Sequence, residues 1–253
     1  MFKWFILGLL LGASSTHSIA VNFTWDDYEK GTGLHVFYQG ITSENTPWTV
    51  REVRNTDIPF YQTLFTDPGV VSTMGHGKGE SPEKMEEYVK AWSDRFATGV
   101  PRGKLTIEHP NNPNPIGGIQ LAQCQRPGVG EIVRALIPSA QGKGLGKALL
   151  GFIVEEWGLA LRKIALGLDP EAPPCARDKF KCFKGEALKA IYTTARPSNP
   201  ASWQCYKYFA FEPSEPTDTT DTAPLISCEQ WEESQNGPLE NYIITRYFSP
   251  FFT

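Results

Sequence analysis

The stretch from Val129 to Leu161 constrains this chain more than any other. Val129 to Ile137 is short and partly β-branched, as a strand is, and it runs directly into Pro138-Ser-Ala-Gln141-Gly-Lys-Gly144-Leu-Gly146. Leu145, Leu149, Ile153, Trp157 and Leu161 then recur every four residues as one helical stripe. A glycine-rich turn therefore joins the end of a strand to the start of a helix. Such a start leaves backbone N–H groups without partners and carries the positive end of the helix dipole, so it attracts phosphate. Glycines at 142, 144 and 146 remove the side chains that would hold a phosphate away, and Lys143 and Lys147 add positive charge at the rim. A turn that needs glycine for its dihedral angles alone is the bland alternative. Three glycines in five residues at a strand-to-helix junction favour the phosphate.

Two familiar phosphate loops fail against these letters. A P-loop needs G-x-x-x-x-G-K-[ST], but Gln141 stands at the first glycine and Ala148 at the magnesium-binding hydroxyl. A dinucleotide fingerprint needs G-x-G-x-x-G, and Lys147 occupies its third glycine when counting starts at Gly142. No early strand-helix-strand unit supports it either.

The surrounding pattern places the turn in an α/β (α+β) chain. Trp48 to Val53 alternates as a strand, Asp57 is placed to cap a helix to about Phe65, and Ser81-Pro82 opens another to about Thr98. That helix carries Met85, Val89, Trp92 and Phe96 on one face. Lys104 to Glu108, Ile116 to Ala122 and Val129 to Ile137 follow as strands separated by Pro, Asn and Gly, which predicts an antiparallel meander. A closing strand is expected over Tyr242 to Phe248. With 253 residues and 40% hydrophobic content, one ample core is expected and a second full domain is not. A net charge of -4 without basic runs excludes a counterion-driven nucleic-acid partner.

The first twenty residues read as a secretory signal: Lys3, an apolar run from Phe5 to Leu11, and a small-x-small site at Ser18-Ile-Ala20. The apolar run is too short for a committed membrane span. Residues 21–47 show little periodicity and are expected to form a loose arm, leaving 48–253 as the main domain. Within it, 168–185 and 212–238 look like insertions, acting as lids or as plain surface loops. Five cysteines leave at least one unpaired, with Cys175 and Cys182 close enough in sequence to bridge if oxidised. The four histidines are scattered, so no metal site is expected.

A second cluster begins at Asn199, a good N-cap followed by Pro200 at the first helical position. Ser202 and Tyr206 are four apart and share a face. Either these hydroxyls reach a reaction centre beside the strand ending at Ile137, or Tyr206 is a core aromatic with its hydroxyl satisfied.

Gln141, Gly144 and Gly146 match Gln-x-x-Gly-x-Gly, and with that motif the sequence resembles the GNAT superfamily of acyl-CoA N-acyltransferases. The run Asn199-Pro-Ala-Ser202-Trp-Gln-Cys-Tyr206-Lys-Tyr-Phe-Ala210-Phe211 resembles the family's Asn-x-x-Ser/Ala-x-x-x-Tyr-x-x-x-Gly-Phe, with Ala210 in place of the glycine. The segment from Trp48 to Phe65, with Arg51, Arg54 and Asp57, is similar to the opening of the ribosomal-protein N-terminal acetyltransferase branch. The resemblance spans about residues 48 to 213 and implies a mixed, mostly antiparallel sheet flanked by helices.

It also implies acetyl-CoA as co-substrate, without a metal, and a primary amine of a protein N-terminus or a small molecule as acceptor. Its pyrophosphate would lie on Gln141, Gly142, Lys143, Gly144, Leu145, Gly146 and Lys147. Main-chain groups near Leu136 and Ile137 would hold the pantetheine arm or the thioester carbonyl, with Asn199 and Ser202 beside the cofactor. An amine must lose a proton to attack, and a carboxylate near it serves that purpose. Glu131 stands ten residues before Gln141, where the family often has a catalytic glutamate, and is either that base, an orienter of water or a solvent-facing strand residue. Tyr206 would protonate the departing thiolate. The alternative is an acyl-CoA-binding or interaction module without turnover. The leader implies a secreted, periplasmic or lumenal protein; without a true leader, acetyl-CoA implies the cytoplasm.

Overall fold

The computed structural model describes residues 21–25, 28, 33–72, 74, 77–124, 126–195, 199–209, 212–213 and 243–247. The leader at 1–20 and the stretch 214–238 lie outside them. Nine strands form one sheet in the spatial order β1-β2-β3-β4-β5-β6-β7-β9-β8. They are β1 (Asn22–Thr24), β2 (His35–Ile41), β3 (Pro47–Glu52), β4 (Leu105–Glu108), β5 (Gly117–Gln123), β6 (Val129–Leu136), β7 (Ala190–Ala195), β8 (Glu212–Pro213) and β9 (Ile243–Tyr247). Every neighbouring pair is antiparallel except β6 and β7. A parallel pair needs a crossover connection, and here the crossover is helical. It comprises α4 (Leu145–Gly151), a π-helical turn (Phe152–Trp157), α5 (Gly158–Leu166) and α6 (Ala176–Phe180). Earlier in the chain come α1 (Ile58–Leu64), α2 (Pro68–Val71) and α3 (Pro82–Ala97), and α7 (Pro200–Tyr208) follows β7. Among the described residues no helix is long and apolar enough to cross a membrane.

The meander β4-β5-β6 and the helix opened by Ser81 form where the sequence places them. The Ser81 hydroxyl accepts from the Lys84 amide at 3.3 Å, and Met85, Val89 and Phe96 are buried. The π turn explains the four-residue stripe of the crossover. In a regular helix of 3.6 residues per turn, each step of four overshoots by about 40°, so the stripe would wind off the sheet. One under-wound turn at Phe152–Trp157 resets the phase. Leu145, Leu149, Ile153, Trp157 and Leu161 are consequently all buried.

The described residues of 21–47 include two strands where a loose arm is expected. Strand β2 pairs with β3 from Phe37↔Arg51 to Ile41↔Pro47, and β1 adds the sheet edge. The alternation is hidden in the letters because Phe37 and Ile41 face outward, at 48% and 61% exposure. The stretch 168–185 is also more than a surface insertion, since Ala176, Phe180 and Phe183 lie in the core. Among the described cysteines, Cys124, Cys175, Cys182 and Cys205 carry free thiols, so Cys175 and Cys182 do not bridge.

Asp57 occupies the N-cap position of α1, yet its carboxylate does not cap. It takes two 2.8 Å hydrogen bonds from Arg51, one from the Arg54 amide and one from the Thr106 hydroxyl. Arg51 also donates to Glu108, so β3, β4 and the start of α1 share one ion cluster. Burial pushes the Asp57 carboxyl up, but the Arg51 hydrogen bonds and charge outweigh it and hold the group below the usual carboxylate range. A lowered folded value contributes stability that is present at neutral pH and lost as pH falls below 4 through that value. Asp57→Asn should therefore cost about 2 kcal/mol at pH 7 and less at pH 3, measured by urea unfolding at both. A cost independent of pH would show that shape, not charge, fixes the cluster.

Candidate active site

The last rung joining β6 to β7 is Ile132↔Thr193. Beyond it β6 continues to Leu136 against β5, and β7 continues to Ala195 against β9. The sheet is thus split between β6 and β7, with one wall from each. Ile137 donates its amide to Ile116 O at 3.0 Å, so this amide faces β5. Along a strand successive amides point to opposite sides. The amides of residues 133, 135 and 137 therefore point to β5, while those of Arg134 and Leu136 point into the split. The Ile137 amide is committed to the sheet and has none to offer a ligand.

The glycine turn closes the open end of this split. Gly142 and Gly144 have φ of 73° and 72°, a left-handed backbone that side chains resist. A Cβ at Gly144 would also approach Ser43 Oγ to 3.1 Å, so the β2-β3 turn packs against this loop. Gly146 has an ordinary helical backbone, and a Cβ there would meet nothing nearer than Arg134 at 3.7 Å. Among the described residues the amides of residues 142 to 146 enter no hydrogen bond, while those of Lys147 and Ala148 bond Gly144 O. Gln141 reaches back from the turn, its Nε2 donating to Leu136 O at 3.0 Å, and so fixes the turn to the end of β6. Lys143 is exposed and Lys147 half-buried, whereas the Leu145 side chain is buried in the core.

Rungs 131↔192 and 132↔193 are successive, so their side chains point to opposite faces. On the face with α1 and α3, Tyr192 donates its hydroxyl to Glu131 Oε2 at 3.0 Å. Burial pushes the Tyr192 phenol up, and the charges of Glu131 and Cys124 push it further. It stays a protonated donor that orients the carboxylate. On the other face Thr193 donates to Tyr206 Oη at 2.9 Å, and Tyr206 is buried at 3% exposure. Arg134 lies 5.2 Å over the Tyr206 ring and donates to Gly146 O, tying α7 to the first turn of α4. Gly151 lets α7 approach, since a Cβ there would sit 3.2 Å from Phe209. Asn199 Oδ1 accepts from the Ser202 amide at 3.2 Å, the N-cap read from the sequence, and Ser202 is half-buried.

The same overall fold is found in other solved structures. Spermidine N-acetyltransferase from Vibrio cholerae, in complex with CoA and spermine, superposes with a TM-score of 0.50 at 18% identity. The match covers 81% of this chain and 97% of that one. RimL, a ribosomal L7/L12 alpha-N-protein acetyltransferase, matches with a TM-score of 0.50 at 12% identity over 85% of this chain and 96% of its own. The fold is that of the GNAT acetyltransferases. No protein-family profile and no curated protein sequence matches the chain.

Within this GNAT fold, Leu136 and residues 141 to 147 lie at the open end of the split, while Glu131 and Tyr206 lie beside its closed end on opposite faces of the sheet. Four further residues there escape motif reading: Arg134, Tyr192, Thr193 and Ser43. Each acts through a partner on another element. The alternation of β6 identifies the face of Arg134, but nothing in the letters places α7 against it.

Proposed function

We propose that the chain is an acyl-CoA-dependent N-acetyltransferase that moves an acetyl group from acetyl-CoA to a primary amine. The observation that carries this reading is the run of amides at residues 142 to 146 that enter no hydrogen bond among the described residues, set at the mouth of a split whose wall offers the Arg134 and Leu136 amides. A pyrophosphate takes the first set and the pantetheine arm the second. The structural neighbours bring chemistry of the same kind: one was solved with CoA and spermine, and the other is named for acetylating a protein N-terminus. The acceptor here is accordingly a polyamine-like small molecule or a protein N-terminus. The domain that does this begins before residue 48, because β1 and β2 complete the sheet and the β2-β3 turn packs on the glycine loop.

In the reaction the neutral amine nitrogen attacks the thioester carbonyl, forming a C–N bond, and the C–S bond breaks. The ammonium proton leaves to Glu131, which Tyr192 holds in place, and the thiolate takes a proton from Tyr206. Acetyl-CoA turnover followed by free-thiol release against spermidine and a peptide amine tests this. Glu131→Gln and Tyr206→Phe should each lower kcat about 100-fold while leaving acetyl-CoA affinity within about threefold. Affinity without turnover by the unaltered chain would make it a binding module.

A further inference from the structure

Arg95 lies in the last turn of α3, and its Nη1 donates to the carbonyl of Arg102 at 3.2 Å. Arg102 Nε is buried without a hydrogen-bond partner. Among the described residues neither guanidinium meets a carboxylate. Both act on the Cys182 thiol, which the stretch 181–183 brings to the same place. Burial draws the Arg95 group down, and the charge of Arg102 draws it down further. Two adjacent cations with a desolvated, unsatisfied N–H cost free energy that a folded chain normally removes with an acid. The fork of a guanidinium matches an oxyanion, and two of them side by side suit one with several oxygens.

We propose that Arg95 and Arg102 form a second anion site, above Cys182, that takes the phosphate or carboxylate of a small molecule. It does not belong to the glycine turn. Phe183 O accepts from the amide of Gly128, just before β6 begins, whereas the glycine turn follows the last residue of β6. The 8 residues of that strand hold the two sites roughly 25 Å apart at about 3.3 Å per residue. This site stands apart from acetyl transfer and does not need it.

Thermal unfolding of the full chain in sodium phosphate, against sodium chloride at equal ionic strength, tests the site. Inorganic phosphate also fits the glycine turn, so the comparison is made in Gly146→Glu. Phosphate should raise the midpoint by about 3 °C in that background. The rise should vanish in Gly146→Glu with Arg102→Gln, and fall by about half with Arg102→Lys, which keeps the charge and loses the fork. Sodium acetate in place of phosphate separates the sources: a matching rise assigns the site to carboxylates, and none assigns it to phosphates. In chloride alone Arg102→Gln should melt at or above the unaltered chain, because it removes a like-charge contact. A phosphate rise that survives Arg102→Gln, a rise absent for both anions, or a lower midpoint of Arg102→Gln in chloride would each overturn the proposal.

Discussion

Acetyl-CoA should bind Gly146→Glu a few hundred-fold more weakly than the unaltered chain in calorimetric titration, with little change in melting temperature. Gly146 is the sharper of two choices. Glutamate at Gly144 would impose φ 72° on a side chain and press a Cβ to 3.1 Å from Ser43 Oγ, so lost binding and lost folding would be mixed. At Gly146 a Cβ finds only ordinary contact with Arg134, and the backbone is already helical. A carboxylate there stands among the amides of the turn. At about 5 Å from a phosphate charge, with an effective dielectric near 20, the repulsion is about 3 kcal/mol, or a few hundred-fold. Arg134 already donates to Gly146 O and can pair with the new carboxylate, which makes this figure an upper limit on the loss. Unchanged affinity in a variant that melts normally would remove the glycine turn from the binding site.

The glycine turn, the meander and the crossover helix were legible because each depends on local rules. A strand before glycine and a four-residue stripe after it are properties of neighbouring letters, and the split sheet places them as those letters imply. What the letters hide shares a cause as well. Strand β2 is hidden because Phe37 and Ile41 are apolar and exposed, so its outward face lacks the polar alternation that marks a half-buried strand. Asp57 reads as a cap because caps are local, whereas its true partners Arg51 and Thr106 come from two other strands. The letters carry no ladder phase, so they do not show where the Ile137 amide points. One hydrogen bond, from Ile137 to Ile116, sets that phase and turns the Arg134 and Leu136 amides toward the split. Tyr192 is invisible for the same reason: it meets Glu131 only through the parallel register of β6 and β7.

Lys104→Met should stabilise the chain by about 2 to 4 kcal/mol at pH 7, an effect opposite in sign to most core substitutions. Lys104 is 1% exposed, its stem crossing Gly118, where a Cβ would sit 3.1 Å from its Cδ. Its ammonium lies 5.0 Å from the Phe65 ring centre and 4.9 Å from that of Trp92. Ring faces attract a cation by about 1 to 2 kcal/mol, but taking an ammonium out of water costs more. Burial accordingly pulls the group from 10.5 down to about 7. The unfolded chain holds this proton up to pH 10.5 and the folded chain only to about 7, so between those values folding releases it. Stability from this site therefore rises with pH across that window, and the burden is full below it. Methionine has a similar length, fills the same aromatic cage and carries no charge. The gain measured by chemical denaturation should be largest at pH 6 and 7 and shrink steadily as pH approaches 10.5. A gain that does not change with pH would mean that packing alone, and not a strained ammonium, separates the two side chains.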